Sequence, residues 1–298
     1  MSDAGVNSIG SKSVTVVIPT LGGASLSETI ERLNIGTHVP AEILVCIPEV
    51  EAFRVKNLSI QNVKLIKTPF YGQVAQRSEG FKKAKGEYVL QLDDDMLLDK
   101  HCVENLLYIM AGSKEKVAVA PSMLCVSTGE SPYKKPSNKW LLNFYYWLLN
   151  GKSGYQPGTI TRAGTNIGID LTTSEEKFVE VDWVAGGCIM HRKENLILKN
   201  FYPFRGKAYS EDLYHSYYLK QKGVKLLISS PAHCFLDCTH IISGMSTLDF
   251  VQYLRRDIKS RIFLVKLSSR SLPRMSIYYF IHILRYMATR LKLILKSG

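Results

Sequence analysis

Three consecutive carboxylates, Asp93, Asp94 and Asp95, are the residues of this chain whose types and spacing most directly suggest chemistry. They follow the apolar run 88–92, and a strand that ends in acids presents them at the carboxyl edge of a sheet, where open α/β folds bind ligands. Because adjacent carboxylates repel one another, a divalent cation such as Mg²⁺ or Mn²⁺ would hold them together and bridge them to substrate phosphates. A solvated turn rich in Asp is the simpler alternative.

The segments around the carboxylates alternate between strand-like and helix-like patterns. Strands are predicted at 13–18, 42–47, 63–67, 88–92, 117–120 and 225–229, and a strand-like pattern broken by Gly186-Gly187 at 178–190. Helices are predicted at 26–33 (after a capping-box spacing at 25–28), 73–85, 100–111, 192–198 and 211–222. This alternation predicts a parallel, Rossmann-like α/β sheet. Residues 122–173 show no clear period and predict an excursion from the sheet.

The formal net charge of +12 is unevenly distributed along the 298 residues. From Gln252 to Gly298 there are eleven Lys and Arg and one acid, Asp257, which gives +10, so the other 251 residues carry only +2. The sequence therefore predicts a nearly neutral body and a basic C-terminal region with a partner of its own. A nucleic-acid-binding groove would place its basic residues around the cleft instead.

The N-terminus and the cysteines bear on location. Residues 1–12 are small and polar and lack an apolar stretch, so we expect them to be disordered and not to act as a secretory signal. The six cysteines are scattered over the chain, which favours reduced thiols over a disulfide framework. Both features predict a cytoplasmic protein.

Several segments, taken in order, resemble the motifs of family-2 glycosyltransferases, which have the GT-A fold. They are 16–20, 72–78, 84–88, 92–95, 186–194 and 211–212, and the resemblance spans about residues 14–261. It implies a GT-A domain over 13–250, with a nucleotide-binding half at about 13–121 and an acceptor half at about 122–250. A basic amphipathic C-terminal helical region would follow at 251–298.

The resemblance also implies roles for the residues of the donor half. Asp93 would contact the ribose or the sugar, Asp95 would bind Mn²⁺ or Mg²⁺ together with Asp93, and Asp94 would assist either. Arg77 would lie near the nucleotide, although a solvent-facing helix arginine is the alternative. The full set of expected donor-binding residues is Pro19, Thr20, Glu49, Gln73, Arg77, Asp93 and Asp94.

A late histidine often completes the metal site in this fold, and His240 stands where the resemblance would place it. A structural histidine is the competing interpretation. A zinc site formed by His233, Cys234, Cys238 and His240 is a further alternative, but its ligands are more closely spaced than in usual zinc sites.

Inversion at the anomeric carbon requires a base for the acceptor hydroxyl, and the resemblance assigns this role to Asp212, with Glu211 in support. At the start of a helix, free N–H groups would keep such a carboxylate ionised. A simple helix cap is the alternative. Gly186 and Gly187 would let the backbone approach a sugar or the donor phosphates, unless they form a β-bulge. Trp183 would stack on an acceptor ring or belong to the core.

Two departures from the family pattern limit what the resemblance implies about the substrate. Where family members commonly have an Asp that binds the base, this chain has Cys46-Ile47-Pro48-Glu49, and Glu49 is the candidate for that role. The base therefore stays open, with a UDP-sugar favoured and a dTDP-sugar as the alternative. The Gln-x-x-Arg-Trp motif of processive polymerases is absent, so transfer of a single sugar is expected.

The C-terminal region interleaves basic with apolar residues. Its most apolar stretch, Met275 to Leu284, is too short to cross a bilayer. A basic helix lying in the membrane interface is the better interpretation, and packing on the protein or on a second subunit is the alternative.

Together, these features predict an inverting, metal-dependent glycosyltransferase at the cytoplasmic face of a membrane. Its acceptor would be a glycan or a lipid-linked oligosaccharide in cell-surface polysaccharide synthesis, and the oligomeric state stays open. A sugar nucleotidyltransferase is the alternative enzyme. A nucleic-acid-binding protein that uses the basic region is the alternative from another class, although no nucleic-acid partner is expected.

Overall fold

The computed structural model of the chain describes residues 12–55, 58, 60–137, 139–204, 208–238 and 245–297. The predicted disorder of residues 1–12 and the position of His240 lie outside these ranges, except for Lys12. The chain folds as two compact units. We call residues 1–132 and 171–236 the sheet unit, and residues 133–170 and 237–298 the helical unit. This division differs from the predicted one, because residues 133–170, the central part of the predicted excursion 122–173, group with the C-terminal helices. We call 133–170 the excursion from here on.

The sheet unit contains strands on both sides of the excursion. Its elements are β1 Val14–Pro19, α1 Leu26–Asn34, β2 Glu42–Pro48, a 3-10 helix Glu49–Val55, β3 Val63–Thr68, α2 Gln73–Lys83, β4 Tyr88–Leu92, β5 Leu97–Leu98, α3 Cys102–Gly112, β6 Val117–Cys125, β7 Phe178–Val181, β8 Cys188–Arg192, α5 Glu211–Gln221 and β9 Lys225–Leu236. The helical unit contains α4 Trp140–Asn150, α6 Thr247–Leu267 and α7 Leu272–Ser297.

The strands form one sheet in the order β3-β2-β1-β4-β8-β6-β9-β5, with β7 paired to β9. β1 pairs in parallel with both β2 and β4, and β2 pairs in parallel with β3, as the sequence predicted. β8 then enters antiparallel to both β4 and β6. β6 and β9 are parallel to each other. The predicted α/β fold is confirmed, but β8 interrupts the parallel order between β4 and β6.

α2 packs against the sheet at an unusually short distance. A Cβ built on Gly80 would lie 2.4 Å from Val17 Cγ1 and 2.6 Å from Cys46 Sγ, so glycine is required for this approach. Phe81 extends the same contact into a buried cluster with Val17, Leu44, Cys46 and Val89. This packing fixes the helix that carries Gln73 and Arg77 over the carboxyl ends of β1 and β2.

Two local predictions are wrong. The helix predicted at 192–198 is only a three-residue 3-10 helix, Lys193–Asn195, because Arg192 ends β8 opposite Tyr88. The Arg192 guanidinium also donates to the carbonyls of Met110 and Ser113. At the start of α1, within the described residues, the Ser25 side chain makes no capping hydrogen bond, so the predicted capping box is not formed.

The prediction of reduced cysteines is wrong for two of the six. Cys125 and Cys238 each take part in a disulfide bond, whereas Cys46, Cys102, Cys188 and Cys234 are free and buried. Positions scattered along a sequence do not show which sulfurs approach within bonding distance after folding. The zinc alternative loses Cys238 as a thiolate ligand for the same reason.

Buried arginines hold the helical unit together. Arg261 donates to Asp257 and to the Tyr279 hydroxyl, and Tyr279 in turn donates to Asp257. Arg261 also donates to the carbonyl of Gly164 at 2.7 Å, which ties the excursion to α6. Part of the basic C-terminal region is therefore structural. No helix among the described residues is long and apolar enough to cross a membrane.

The close packing at Gly80 predicts opposite effects for two helical glycine-to-alanine changes. Gly80→Ala should lower the free energy of unfolding by about 1–3 kcal/mol, because its methyl group would overpack against Val17 and Cys46. Gly112→Ala is the matched control, because it is exposed at the end of α3 and a Cβ there meets nothing within 4 Å. It should keep or raise stability by up to about 1 kcal/mol. Urea unfolding measures both, and equal effects would contradict the packing argument.

Candidate functional site

The site begins where β4 ends. Asp93 directly follows β4, and its backbone N–H donates to the carbonyl of Gly187 at 2.8 Å, just before β8 begins. The antiparallel pairing of Leu92 with Cys188 therefore continues one step beyond both strands. This pairing places the glycine pair beside the aspartate cluster, although the two are more than 90 residues apart in sequence.

A buried arginine joins the two halves of the predicted site. Arg77 in α2 is 2% exposed and donates from Nη2 to Asp93 Oδ1 at 3.0 Å. Its Nη1 donates to Glu211 Oε1 and Oε2 at 3.0 and 3.2 Å. Burial by itself would lower the pKa of Arg77, but Glu211 and Asp93 outweigh it and raise that pKa. The solvent-facing alternative for Arg77 is therefore wrong.

Asp93 has one oxygen held by the protein and one that is open. Oδ1 accepts from Arg77 and also from Gln73 Nε2 at 2.7 Å. Among the described residues, none donates a hydrogen bond to Oδ2. Burial raises the pKa of Asp93 to about 6, while Arg77 and Gln73 act in the opposite direction. Gln73 and Arg77 thus orient this carboxylate and leave Oδ2 for a ligand.

Asp94 has a mainly structural position. Its carboxylate accepts from the Thr20 hydroxyl, and its backbone carbonyl accepts from Thr29 Oγ1 in α1 at 3.0 Å. Thr20 follows Pro19, the last residue of β1, and its hydroxyl accepts from the Gly22 N–H. Asp94 therefore fixes the loop after β1, where the donor is expected to bind.

Asp95 is exposed, and among the described residues no hydrogen bond or ion pair engages its carboxylate. The described residues contain no group of three or more His, Cys, Asp or Glu that could hold a metal. Mg²⁺ is commonly bound by one or two carboxylates together with substrate phosphates and water, and Mn²⁺ accepts the same oxygen ligands. Asp95 and Asp93 Oδ2 fit that arrangement, whereas the contribution predicted for His240 lies outside the described residues.

The start of α5 carries the predicted base. Ser210 has φ 55° and ψ 25°, a left-handed conformation that costs a non-glycine residue about 1–3 kcal/mol. Within the described residues its side chain makes no capping hydrogen bond, so the helix-cap alternative lacks its main contact. Glu211 is buried against Arg77, whereas Asp212 is partly exposed and accepts from the Leu213 N–H at 3.0 Å.

Gly186 makes room for a carboxylate, because a Cβ built there would lie 2.6 Å from Glu211 Oε1. A Cβ on Gly187 would lie 3.2 Å from Met96 Sδ and in ordinary contact, 3.5 Å, with Asp93 Oδ2. The carbonyl of Gly186 accepts from Gln91 Nε2 at 2.5 Å. The close approach predicted at Gly186 is thus an approach to the protein's own Glu211. Trp183 is 4% exposed, which favours the core alternative over stacking on an acceptor.

Glu49 lies apart from this ion-pair network. It begins the 3-10 helix after β2, its side chain is 70% exposed, and it forms an ion pair with Lys67 at 3.7 Å. Its proposed contact with the nucleotide base stays a prediction.

Comparison with known proteins identifies the family of this chain. Residues 15–171, more than half of the chain, match the family described as Glycosyl transferase family 2. The chain belongs to glycosyl transferase family 2. No curated protein matches it.

Solved structures show the same fold at low sequence identity. GalNAc-T7, crystallised with UDP, GalNAc and Mn²⁺, superposes with a TM-score of 0.56 and 18% identity over 82% of this chain. The match covers only 48% of the GalNAc-T7 chain, so this chain corresponds to about half of it. The mannosyltransferase PcManGT from Pyrobaculum calidifontis, in complex with GDP-Man and Mn²⁺, gives 0.51 and 15% over 96% of this chain and 76% of its own. The GT-A prediction is thereby confirmed.

Three further buried polar residues lie near the ion-pair network of Arg77 and were not among the predicted site residues. Gln76 Nε2 donates to the carbonyls of Thr20 and Cys46 and so joins the ends of β1 and β2. The rings of His191 in β8 and His215 in α5 lie 5.3 Å apart, one turn beyond Glu211. Burial lowers the pKa of His191 to about 3 and that of His215 well below its usual value. A polar residue inside an apolar strand, such as His191, was the available signal.

Gly186→Ala should disrupt the site without unfolding the sheet unit. The new methyl group would stand 2.6 Å from Glu211 Oε1 and force this carboxylate away from Arg77. We expect a loss of transfer activity of at least about ten-fold, because small displacements at a positioned site are costly. Gly112→Ala is again the control. Full activity with an unchanged melting temperature would contradict the assigned packing.

The two buried histidines predict a stability that falls in mild acid. The folded-state pKa of His191 is about 3, whereas the ordinary value is 6.5. Between pH 6.5 and 3, His191 therefore binds a proton in the unfolded chain but not in the folded chain. His191 should therefore make stability fall between pH 6.5 and 3, by up to roughly 1.4 kcal/mol per pH unit, and His215 should act in the same direction. His191→Leu should reduce this slope in urea unfolding between pH 7 and 5. The exposed His101, changed to Gln, is the control, and equal slopes would contradict the assignment.

Proposed function

We propose that this family-2 glycosyltransferase moves one sugar from a nucleoside-diphosphate sugar to an acceptor hydroxyl, with inversion at the anomeric carbon. The observation that carries the proposal is the bridge from Asp93 through Arg77 to Glu211. It fixes the predicted donor carboxylates and the start of α5 as one rigid group. A donor held at Asp93 would then lie within reach of a carboxylate on α5.

The chemistry of the open carboxylates supports a metal-bound diphosphate. Asp95 and Asp93 Oδ2 are hard oxygen ligands at the strand edge, and Gln73 and Arg77 hold Asp93 in place. GalNAc-T7 and PcManGT were each crystallised with Mn²⁺ and a nucleotide or nucleotide sugar, which supports Mn²⁺ or Mg²⁺ here. A bound cation would supply Lewis-acid stabilisation of the leaving diphosphate.

The donor is proposed to be a UDP-sugar, with a dTDP-sugar as the alternative. The two relatives differ in their nucleotides, UDP in one and GDP in the other, so they support a nucleotide donor without choosing the base. In this chain the loop after β1, held by Thr20 and Asp94, and the exposed Glu49 are the proposed contacts to the nucleoside.

Asp212 is proposed as the base. As the acceptor oxygen forms its bond to the anomeric carbon, its proton passes to the Asp212 carboxylate. The bond from that carbon to the diphosphate oxygen breaks on the opposite face, and the nucleoside diphosphate leaves. Glu211 is committed to Arg77, so its role is to position α5. The positive end of the α5 dipole favours the ionised form of Asp212.

We propose a glycan or lipid-linked oligosaccharide acceptor, in cell-surface polysaccharide synthesis, at the cytoplasmic face of a membrane. The basic C-terminal helices and their exposed apolar residues support the membrane part of this proposal. Cys125 and Cys238 do not support the part that rested on reduced thiols, because disulfides are rare in the cytosol.

Two aspartate changes should separate donor binding from transfer. Asp95→Asn should abolish the metal-dependent rise in melting temperature produced by the preferred nucleotide among UDP, GDP, CMP and dTDP. Asp212→Asn should keep that rise but lower the transfer rate about 10²–10⁴-fold, the usual contribution of a general base. Thermal shift with and without Mn²⁺, and a radiolabelled sugar-transfer assay, measure the two effects.

Asp182→Asn is the matched control, since Asp182 pairs with Lys220 on the surface of the sheet unit. It should leave both readouts unchanged. No response of the unmodified protein to any nucleotide, with or without metal, would contradict the proposed donor class. Unchanged transfer in Asp212→Asn would contradict the base assignment alone.

A further inference from the structure

The helical unit carries the whole formal net charge of the chain. Its sequence contains sixteen Lys and Arg and four Asp and Glu, which gives +12. The sheet unit contains twenty-two of each and is formally neutral. A field of this sign and size attracts polyanionic surfaces. A partner attracted by the net positive charge is therefore expected to bind the helical unit.

Within this unit, α4 has no charged residue and presents large apolar side chains to solvent. Trp140 is 73% exposed, Leu141 62%, Phe144 51% and Trp147 48%. Four exposed apolar residues on one eleven-residue helix are unusual for a surface in water. Lysines flank the helix on both sides, at 134, 135, 139 and 152.

Contacts with α7 hold α4 rigidly from the other side. Arg274 donates to the carbonyls of Trp147 and Leu148, at 2.9 and 2.6 Å, and so caps the end of α4. The guanidinium of Arg285 lies 4.9 Å from the centre of the Tyr145 ring. α4 is thus a fixed helix with one side packed and one apolar side exposed.

α7 exposes a second apolar stripe. Phe280, Leu284, Met287 and Leu291 are all exposed, and their spacing of three and four residues places them along one side of the helix. Within the described residues α7 contains no acid, whereas Arg285, Arg290 and Lys292 are interleaved with the stripe. The pattern is that of a helix lying in a bilayer interface.

We propose that the helical unit binds the surface of an anionic phospholipid bilayer, with α4 inserted in the interface as its anchor. α4 spans about 16 Å, far too short to cross a bilayer but suited to lie in its plane. Tryptophans flanked by lysines are typical of that position, because the rings are amphipathic and the lysines reach the headgroups. A second copy of the chain fits less well, since two units of +12 would repel each other.

This proposal rests on the membrane part of the proposed function, which it makes specific, and does not depend on the proposed sugar transfer. Nucleotide binding and vesicle binding are measured separately, so each can fail while the other holds.

The tryptophans of the chain give a direct readout. Two of the three are on the exposed face of α4, and the third, Trp183, is 4% exposed in the sheet unit. The full chain should sediment with vesicles of phosphatidylcholine and phosphatidylglycerol but much less with phosphatidylcholine alone. Its tryptophan emission should shift to shorter wavelength, and brominated lipid should quench it, because Trp140 and Trp147 enter the interface.

Trp140→Ser combined with Phe144→Ser should weaken partition into the anionic vesicles about ten-fold or more, since both rings leave the apolar layer. Phe178→Ser, at a similarly exposed phenylalanine of the sheet unit, is the matched control and should bind like the unmodified protein. Lys135→Gln combined with Lys139→Gln tests the charge without touching the apolar face and should also weaken binding. Circular-dichroism melting checks that each variant is folded.

Three results would overturn the proposal. The chain does not sediment with anionic vesicles, or it sediments without any change in tryptophan emission, or the Trp140 and Phe144 double variant binds as tightly as the unmodified protein. Light scattering tests the alternative occupant of the α4 face, a second copy of the chain. A dimer that the double variant dissociates, without vesicle binding, would assign the α4 face to a second copy of the chain instead.

Discussion

The buried contact of Arg77 with Asp93 and Glu211 is the constraint on which the rest of the site depends. An arginine that is 2% exposed has lost its water and needs carboxylate partners, and two acids this close together need a cation between them. The three residues come from α2, from the end of β4 and from the start of α5. Removing one partner of such a buried group typically costs about 3–5 kcal/mol, so these elements are positioned together. The strand end proposed to hold the donor and the helix that carries the proposed base, Asp212, are therefore not independent of each other.

The backbone near this contact is shaped to permit it. Gly186 leaves the space that Glu211 occupies, and Ser210 adopts a left-handed conformation that starts α5 at the required angle. Gly80 brings α2 close enough to the sheet for Arg77 to reach both acids. A strained backbone residue such as Ser210, and glycines such as Gly80 and Gly186, each weaken a fold slightly. They persist where the surrounding packing holds the backbone in place.

The sequence predicted those parts of the fold and site that leave a local pattern. The strands at Val14–Pro19 and Tyr88–Leu92 are buried on both faces and read as continuous apolar runs, and Asp93 was located by the run before it. The sequence placed Arg77 near the nucleotide but did not predict its buried contact with Glu211, because arginine is usually exposed and Glu211 is 134 residues away. The helix wrongly predicted at 192–198 has a similar cause. Arg192 pairs with Tyr88 at the end of β8, and local helix propensity cannot predict such a tertiary contact.

The helical unit shows why net charge along a sequence is an incomplete guide to a binding surface. Arg261 and Arg274 donate to backbone carbonyls of the excursion, so these cations hold the fold together rather than face a partner. The excursion in turn supplies α4, an uncharged helix whose carbonyls at Trp147 and Leu148 accept from Arg274. The charge in the C-terminal helices and the apolar face in the excursion are therefore complementary parts of one unit. The C-terminal helices carry most of the positive charge, and α4 carries both tryptophans of the unit; an anionic interface selects both features.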